Sequence, residues 1–348
     1  MSSNWYLVNS AIRHQVLVQR RGGGLYNEVK PILVDLHDSI VARLSASPTD
    51  YQTARLQVLL YDIDGMISAA TTKIGGHMKP ETVNMAAYEV EAYHRMLSTA
   101  NPNVDFVLPS IDQIASAAET VAAVTLVSGQ TVKTMTIDDI LAAFNSGLKK
   151  QVRSVINAGV IEGATTDQIV SRISMIAGGK ARRDIQATAI TVINAMADYS
   201  RQQVTAANTD LIAEERWVST LDGRTSPICR SRDGNKYPAD SGPRPPAHYR
   251  CRSVRVPVLN DSVNLPNLDS GATRSAQDGP VSSQTTYNSW LKKQSAEFQD
   301  EVLGPTRGAL FRRGGLNMDS FVDTTGRTYT LDELRNLEPL AFQRANLQ

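Results

Sequence analysis

Cysteine is scarce in this chain: two residues, Cys229 and Cys251, in 348. That number excludes a small scaffold stapled by disulfides. Aromatics make up only 6% of the residues, with three tryptophans, and Trp217 and Tyr237 read as core rather than as stacking platforms. The formal net charge is +1, which excludes coating of DNA by the whole chain and leaves only local contacts. No run of 18 uncharged apolar residues occurs. The nearest, Ile114 to Val127, is Ala-rich and broken by Glu119, so neither a membrane span nor a membrane anchor is expected. The opening MSSNWYLVNSAIRHQ lacks a charged segment followed by an apolar block, and no secretory signal is read there. Both thiols are therefore expected in a reducing compartment, free or bound to metal rather than joined. Nucleotide-binding glycine loops, H-E-x-x-H and G-x-S-x-G are all missing.

Helical periodicity dominates the first 212 residues. The clearest stripe runs from Ile137 to Ala158, with Thr136 and Asp139 as a capping pair and Gly159 as the stop. Thr165 and Gln168 repeat the device for a helix through Ile176, which Gly178-Gly179 should end. A further helix spans about 181–208. Earlier helices are expected near 5–20, 25–46, 50–72 and 80–99, with Gly22-Gly23-Gly24 as a flexible hinge and breaks at Ser47-Pro48 and Gly75-Gly76.

The pattern changes at Glu215. Turn formers such as Asp222-Gly223, Asp233-Gly234 and Ser241-Gly242-Pro243 alternate with short runs, Arg216-Trp217-Val218 and Val254-Arg255-Val256. The chain is thus read as α+β. A helical N-terminal region (1–130) and a second helical region (131–212) precede a small strand-and-loop module (213–259). A Ser/Asn/Gly/Pro-rich linker (260–285) leads to a C-terminal α/β segment (286–348), with a helix from Tyr287 to Val302, a hairpin near Phe321 to Tyr329 and a last helix capped by Thr330 and Glu333.

The module concentrates the chemistry. From Arg216 to Arg255 it carries nine Arg and Lys against the acids Asp222, Asp233 and Asp240, together with both cysteines and His248. Cys229, His248 and Cys251 are candidate zinc ligands, because His-x-x-Cys lets two donors reach one ion from a turn, and Asp233 is the nearest fourth candidate. The alternative is that the cysteines are small packing residues and His248 bonds a loop carbonyl. Arg230, Arg232, Arg250, Arg252 and Arg255 are candidates for gripping phosphates or an acidic partner. Trp217 and Tyr237 read as core. His14, His37, His77 and His94 lie in or beside helical stretches and read as structural.

The ordered run Thr220-Leu221-Asp222-Gly223-Arg224-Thr225-Ser226-Pro227-Ile228-Cys229, then Asp233-Gly234, then Pro245-Pro246-x-His248-x-x-Cys251-Arg252, resembles the minor head (head-morphogenesis) proteins of tailed bacteriophages, the Mu F-like group. Upstream Gly159, Gly163 and Thr165, with the helix through Thr191 and Asn194, and downstream Trp290 to Gln294 and Phe298 to Gly304 extend the likeness to about 135–335. Two departures stand out. Many members read Cys-Arg-Cys where this chain has Cys251-Arg252-Ser253, and Thr-Glu where it has Thr191-Val192.

The resemblance implies a non-enzymatic virion component in few copies, assembled in the host cytoplasm and placed in the capsid interior or at the portal vertex. It would contact the portal protein, the major capsid or scaffold protein, or packaged double-stranded DNA, and assist head assembly or genome delivery. The competing readings are a metal-dependent nuclease built on Cys229, Asp233, His248 and Cys251, and a DNA-binding accessory protein.

Overall fold

The structure, a computed structural model, describes residues 3–47, 53–121, 124–128, 131–260 and 273–347. It is α+β, as expected: a long helical bundle, a small antiparallel sheet seated on it, and a compact C-terminal segment. Two long helices come first, α1 (Ser3–Ser45) and α2 (Thr53–Ala100), followed by α3 (Ile111–Val121). Their buried positions recur every three or four residues, as in Leu25, Val29, Leu33, Leu36, Ile40 and Leu44 of α1. That stripe is what makes each helix bury one side.

The expected hinge at Gly22-Gly23-Gly24 does not exist, because α1 runs straight through it. A Cβ on Gly22 would lie 2.7 Å from the Ile190 Cα, so this glycine permits close approach of two helices rather than bending. Gly75-Gly76 likewise sits inside α2, which continues past Pro80. In both cases a packed partner supplies more stability than glycine or proline removes.

A hairpin with no counterpart in the expected elements follows: β1 (Val124–Ser128) pairs antiparallel with β2 (Thr131–Met135), Val124 opposite Met135. Next come α4 (Ile137–Glu162) and α5 (Thr166–Ile173), each opened by the expected capping box. The end of α4 is Gly163, in the left-handed conformation at φ 66°, not Gly159. Gly159 stays helical, and a Cβ there would meet Ile169 Cγ1 at 2.5 Å. Gly178-Gly179 also fails to stop the chain. A π-helical stretch from Ser174 to Lys180 carries it directly into α6 (Ala181–Ala206).

Helix α6 is the axis of the molecule. Ile185, Ala189, Val192, Ile193 and Met196 are buried, and so are the polar Thr188, Thr191, Asn194, Asp198, Ser200, Arg201 and Thr205. A helix buried on nearly every side must find partners for those polar groups. Gln15 donates to Asn194 at 2.5 Å, and Arg201 and His14 both reach the buried Glu89, at 2.5 and 2.7 Å. Burial pushes the Glu89 carboxyl up, but Arg201 and His14 outweigh it and hold its pKa below the ordinary 4.5.

The module begins with β3 (Ile212–Val218), then α7 (Pro227–Arg232), β4 (Lys236–Pro238) and β5 (Val254–Leu259). Strand order is β4-β3-β5, antiparallel throughout, with Trp217 opposite Arg255. A second apolar core joins Val218, Val254, Val256 and Leu259 of this sheet to Leu7 and Val8 of α1 and Val90 and Leu97 of α2.

Residues 261–272 of the expected linker lie outside the described residues. In the remainder, β6 (Thr273–Ala276) and β7 (Gly279–Ser282) form a hairpin whose Arg274 is buried. The expected helix from Tyr287 to Val302 is two, α8 (Tyr287–Leu291) and α9 (Ala296–Leu303), because Ser295 caps a new start. After α10 (Pro305–Ala309), Val322 bridges Thr328 where the hairpin was expected, and Thr330 with Glu333 caps α11 (Leu331–Leu337) before α12 (Pro339–Arg344). No described helix is long and apolar enough to cross a membrane.

Candidate functional site

The two ends of the motif run fold onto each other. Asp222 accepts from the Arg224 amide at 3.0 Å and the Thr225 hydroxyl at 3.1 Å, a turn made by its own side chain. Its carboxylate then receives the Arg252 guanidinium as a fork, 2.6 and 2.8 Å. Burial raises the Asp222 pKa, yet the Arg252 hydrogen bonds prevail and hold it below the usual 3.8. Asp222 and Arg252 are therefore a clasp between the loop before α7 and the segment entering β5.

Asp233 forms a second clasp and stands outside the grouped candidate metal donors. Its carboxylate accepts from the Ser219 amide and the Tyr287 amide, each at 2.6 Å, and pairs with Arg274 at 3.0 Å. Arg274 also donates to the Ser219 and Thr285 carbonyls. Every partner of Asp233 is internal, so the carboxylate is satisfied where it stands. Gly234 beside it has φ 91°, and a Cβ would sit 2.7 Å from Thr286 Cγ2. That backbone turn, packed against the start of α8, requires glycine.

Cys229, His248 and Cys251 do come together. Among the described residues they form a group whose donor atoms all lie within 4.8 Å of one another. Cys229 Sγ is 3.3 Å from His248 Nε2 and 3.6 Å from Cys251 Sγ, and both cysteines are free. Pro227 opens α7 at a position that needs no amide donor, and one turn of that helix presents Cys229. His248 and Cys251 come from a tight turn closed by Cys251 N–H to the His248 carbonyl at 3.1 Å. His248 Nδ1 lies 2.9 Å from the Tyr249 carbonyl; donating there fixes the tautomer and leaves Nε2 facing the sulfurs.

Accepting from Cys229 and from His248, against burial, holds the Cys251 thiol well below the ordinary thiol range, whereas burial and the Cys251 sulfur push Cys229 up. Burial lowers the His248 pKa, but Cys251 more than compensates and leaves it raised. The trio thus favours one thiolate beside an imidazole. Both cysteines are only 1% exposed, so this is a place to hold an ion or share a proton rather than to attack a substrate.

The arginines divide. Arg255 is buried, its Nε 2.9 Å from Glu215 and its other nitrogens on the Pro238 and Ser241 carbonyls. Arg230 is buried too and donates to the Val302 and Gly223 carbonyls. Neither belongs to an outer surface, which removes both from the set of phosphate-gripping candidates. Arg232 is half-buried with its guanidinium 5.1 Å above the Trp217 ring, and Arg252 is committed to Asp222. Desolvation lowers the pKa of Arg230, Arg232 and Arg255 from the ordinary arginine value. Only Arg250 of the five is exposed, at a strained φ of 58°, with its guanidinium on the Arg183 carbonyl and Gln186.

Four residues that sequence reasoning passed over complete the module. Arg244 ties Asp198 of α6 to Glu215 of β3 at 2.7 and 2.8 Å, and Glu215 also meets Arg255. Arg274 closes Asp233. Their spacings in the chain carry no local signal, so only the folded arrangement reveals them. The local excess of positive charge is thereby mostly internal wiring. The loop is further tied to the bundle by Gln19 to the Cys251 carbonyl at 2.8 Å and by Arg250 N–H to Thr191 Oγ1 at 3.0 Å.

Residues 150–256 match the family model described as Phage Mu protein F like protein. That span runs from the middle of α4 to β5 and contains the Asp222–Arg252 clasp and the whole Cys/His group. No curated protein and no solved structure matches the chain. Over residues 150–256 this chain is thus similar to the phage Mu protein F like family.

Proposed function

We propose that the chain is a minor head protein of a tailed bacteriophage, carried in the virion at the capsid interior or the portal vertex. There it docks on the portal or the inner shell and assists head assembly or genome delivery without catalysing a reaction. The observation that carries this reading is the family match over 150–256, whose motif residues are used for holding. Asp222 and Asp233, the carboxylates a hydrolytic centre would need, are each saturated by an internal arginine and by hydrogen bonds. Protein contact is favoured over DNA contact because Arg230 and Arg255 are buried and Arg252 is paired. Exposed Val58 and Tyr61, one turn apart on α2, suit an apolar partner face.

DNA contact survives as a second reading through Arg250 and Arg224, the latter with 85% of its side chain exposed. Mass spectrometry of purified particles tests the proposal: the chain should appear in few copies and co-purify with portal protein. Its absence from mature heads overturns the proposal. For the second reading, Arg224→Ala with Arg250→Ala should flatten the salt dependence of DNA affinity by about one unit of slope for each phosphate no longer neutralised.

A further inference from the structure

We propose that Cys229, His248 and Cys251 hold one structural zinc ion, with the Ser226 hydroxyl oxygen as the fourth donor. Tetrahedral zinc with Zn–S of about 2.3 Å and Zn–N of about 2.0–2.1 Å places two thiolates roughly 3.7–3.8 Å apart and a thiolate and an imidazole nitrogen roughly 3.5 Å apart. The observed separations are 3.6 Å for the sulfurs and 3.3 Å for Cys229 Sγ to His248 Nε2. The donors thus stand near tetrahedral zinc spacing, and a disulfide would need them far closer. The His248 ring is already oriented by the Tyr249 carbonyl, the outer contact that zinc-bound imidazoles ordinarily make.

The fourth donor follows from what each neighbour is doing. Asp233 is taken by Arg274 and two amides. Ser253 is 2.9 Å from Ser219 Oγ in a hydroxyl pair that also reaches the Cys229 carbonyl. Ser226 remains. It is the N-cap of α7, yet its side chain makes no cap hydrogen bond, and its Oγ is buried with no well-formed partner. A serine in that position normally accepts from an amide of the first turn. Ser226 stands at the start of the same short helix that carries Cys229. Two thiolates, an imidazole and a hydroxyl oxygen favour zinc over hard cations such as magnesium or calcium.

Such an ion would fasten α7 to the His248–Cys251 turn. That turn is the segment which Gln19 and Thr191 connect to α1 and α6, so the metal would hold the module's loop against the bundle. Burial of both cysteines argues for a structural rather than a catalytic ion.

The test uses the full chain purified without a metal-affinity step. Elemental analysis should give about one zinc per chain, and cobalt exchanged into it should show thiolate-to-metal charge-transfer bands, as a closed Cys/His site predicts. His248→Ala and Cys251→Ser should abolish the zinc and the cobalt bands. Because those variants can fail to fold, Ser226→Cys is the decisive one. A third thiolate in that place should tighten zinc at least about tenfold in chelator competition, and Ser226→Ala should weaken it by a similar factor. Wild-type chain that contains no zinc and takes up neither zinc nor cobalt overturns the proposal. Retained zinc with unchanged affinity in both Ser226 variants overturns the assignment of the fourth donor.

Discussion

The bundle and the module on top of it are built on opposite principles. In the bundle, α1, α2, α4 and α6 meet through aliphatic side chains at helical spacing, a stabilisation that is spread over many residues. In the module, three short strands and a single turn of helix enclose little apolar volume: Trp217, Ile228, Cys229, Ala247 and Cys251. Shape there is set by charges with assigned partners, namely Asp222 with Arg252, Asp233 with Arg274, and Glu215 with Arg244 and Arg255. Distributed packing tolerates the removal of one methyl, whereas a buried charge does not tolerate the removal of its partner. The two regions should therefore fail differently.

The largest effect is expected at Asp233. Replacing it with Ala leaves Arg274 buried and uncompensated and orphans two amides, costing roughly 3–5 kcal/mol. Limited proteolysis should then open the module while the far-ultraviolet helical signal persists; equal loss of both would erase the contrast. Arg252→Ala comes next, at roughly 1.5–3 kcal/mol for a hydrogen bond to a charged group. It also carries a pH signature. Since the folded Asp222 pKa lies below 3.8, its contribution is present above that value and is lost as pH falls beneath it. The variant should lose that part of the acid sensitivity in a pH series of denaturant melts.

On the bundle side, Gly22→Val should cost about 1–3 kcal/mol, because any Cβ meets the Ile190 backbone. Thr136→Ala should remove about 1 kcal/mol with the capping box of α4. Gly23→Ala should do the reverse of its neighbour, gaining about 0.5–1 kcal/mol, since nothing lies within 4 Å of the added carbon. A thermal melt in which Gly22 and Gly23 behave alike would refute the close approach of α1 and α6.

Legibility followed the range of the interaction. The capping boxes at Thr136, Thr165 and Thr330 were readable because donor and acceptor lie three residues apart. Glycines misled for the complementary reason. Gly22, Gly75, Gly159 and Gly178 look like breaks when only the chain is considered, but a neighbouring helix or the next turn of backbone keeps the helix intact. The basic run was visible, whereas the fact that most of it points inward was not, because Glu215, Asp198 and Arg274 lie far away in sequence or carry no pattern of their own.

By itself, then, the order of residues determined the helix-forming stripes, their capped beginnings, the change of texture at Glu215 and the ordered motif from Asp222 to Arg252. Each of these depends on neighbours within a few positions or on residue identity alone. The tertiary structure decided which acid meets which arginine, that Asp233 stands apart from Cys229, His248 and Cys251, and that α1 and α2 run unbroken. Those outcomes depend on groups brought together from up to 232 positions apart, as Gln19 and Cys251 are, and only packing sets such distances.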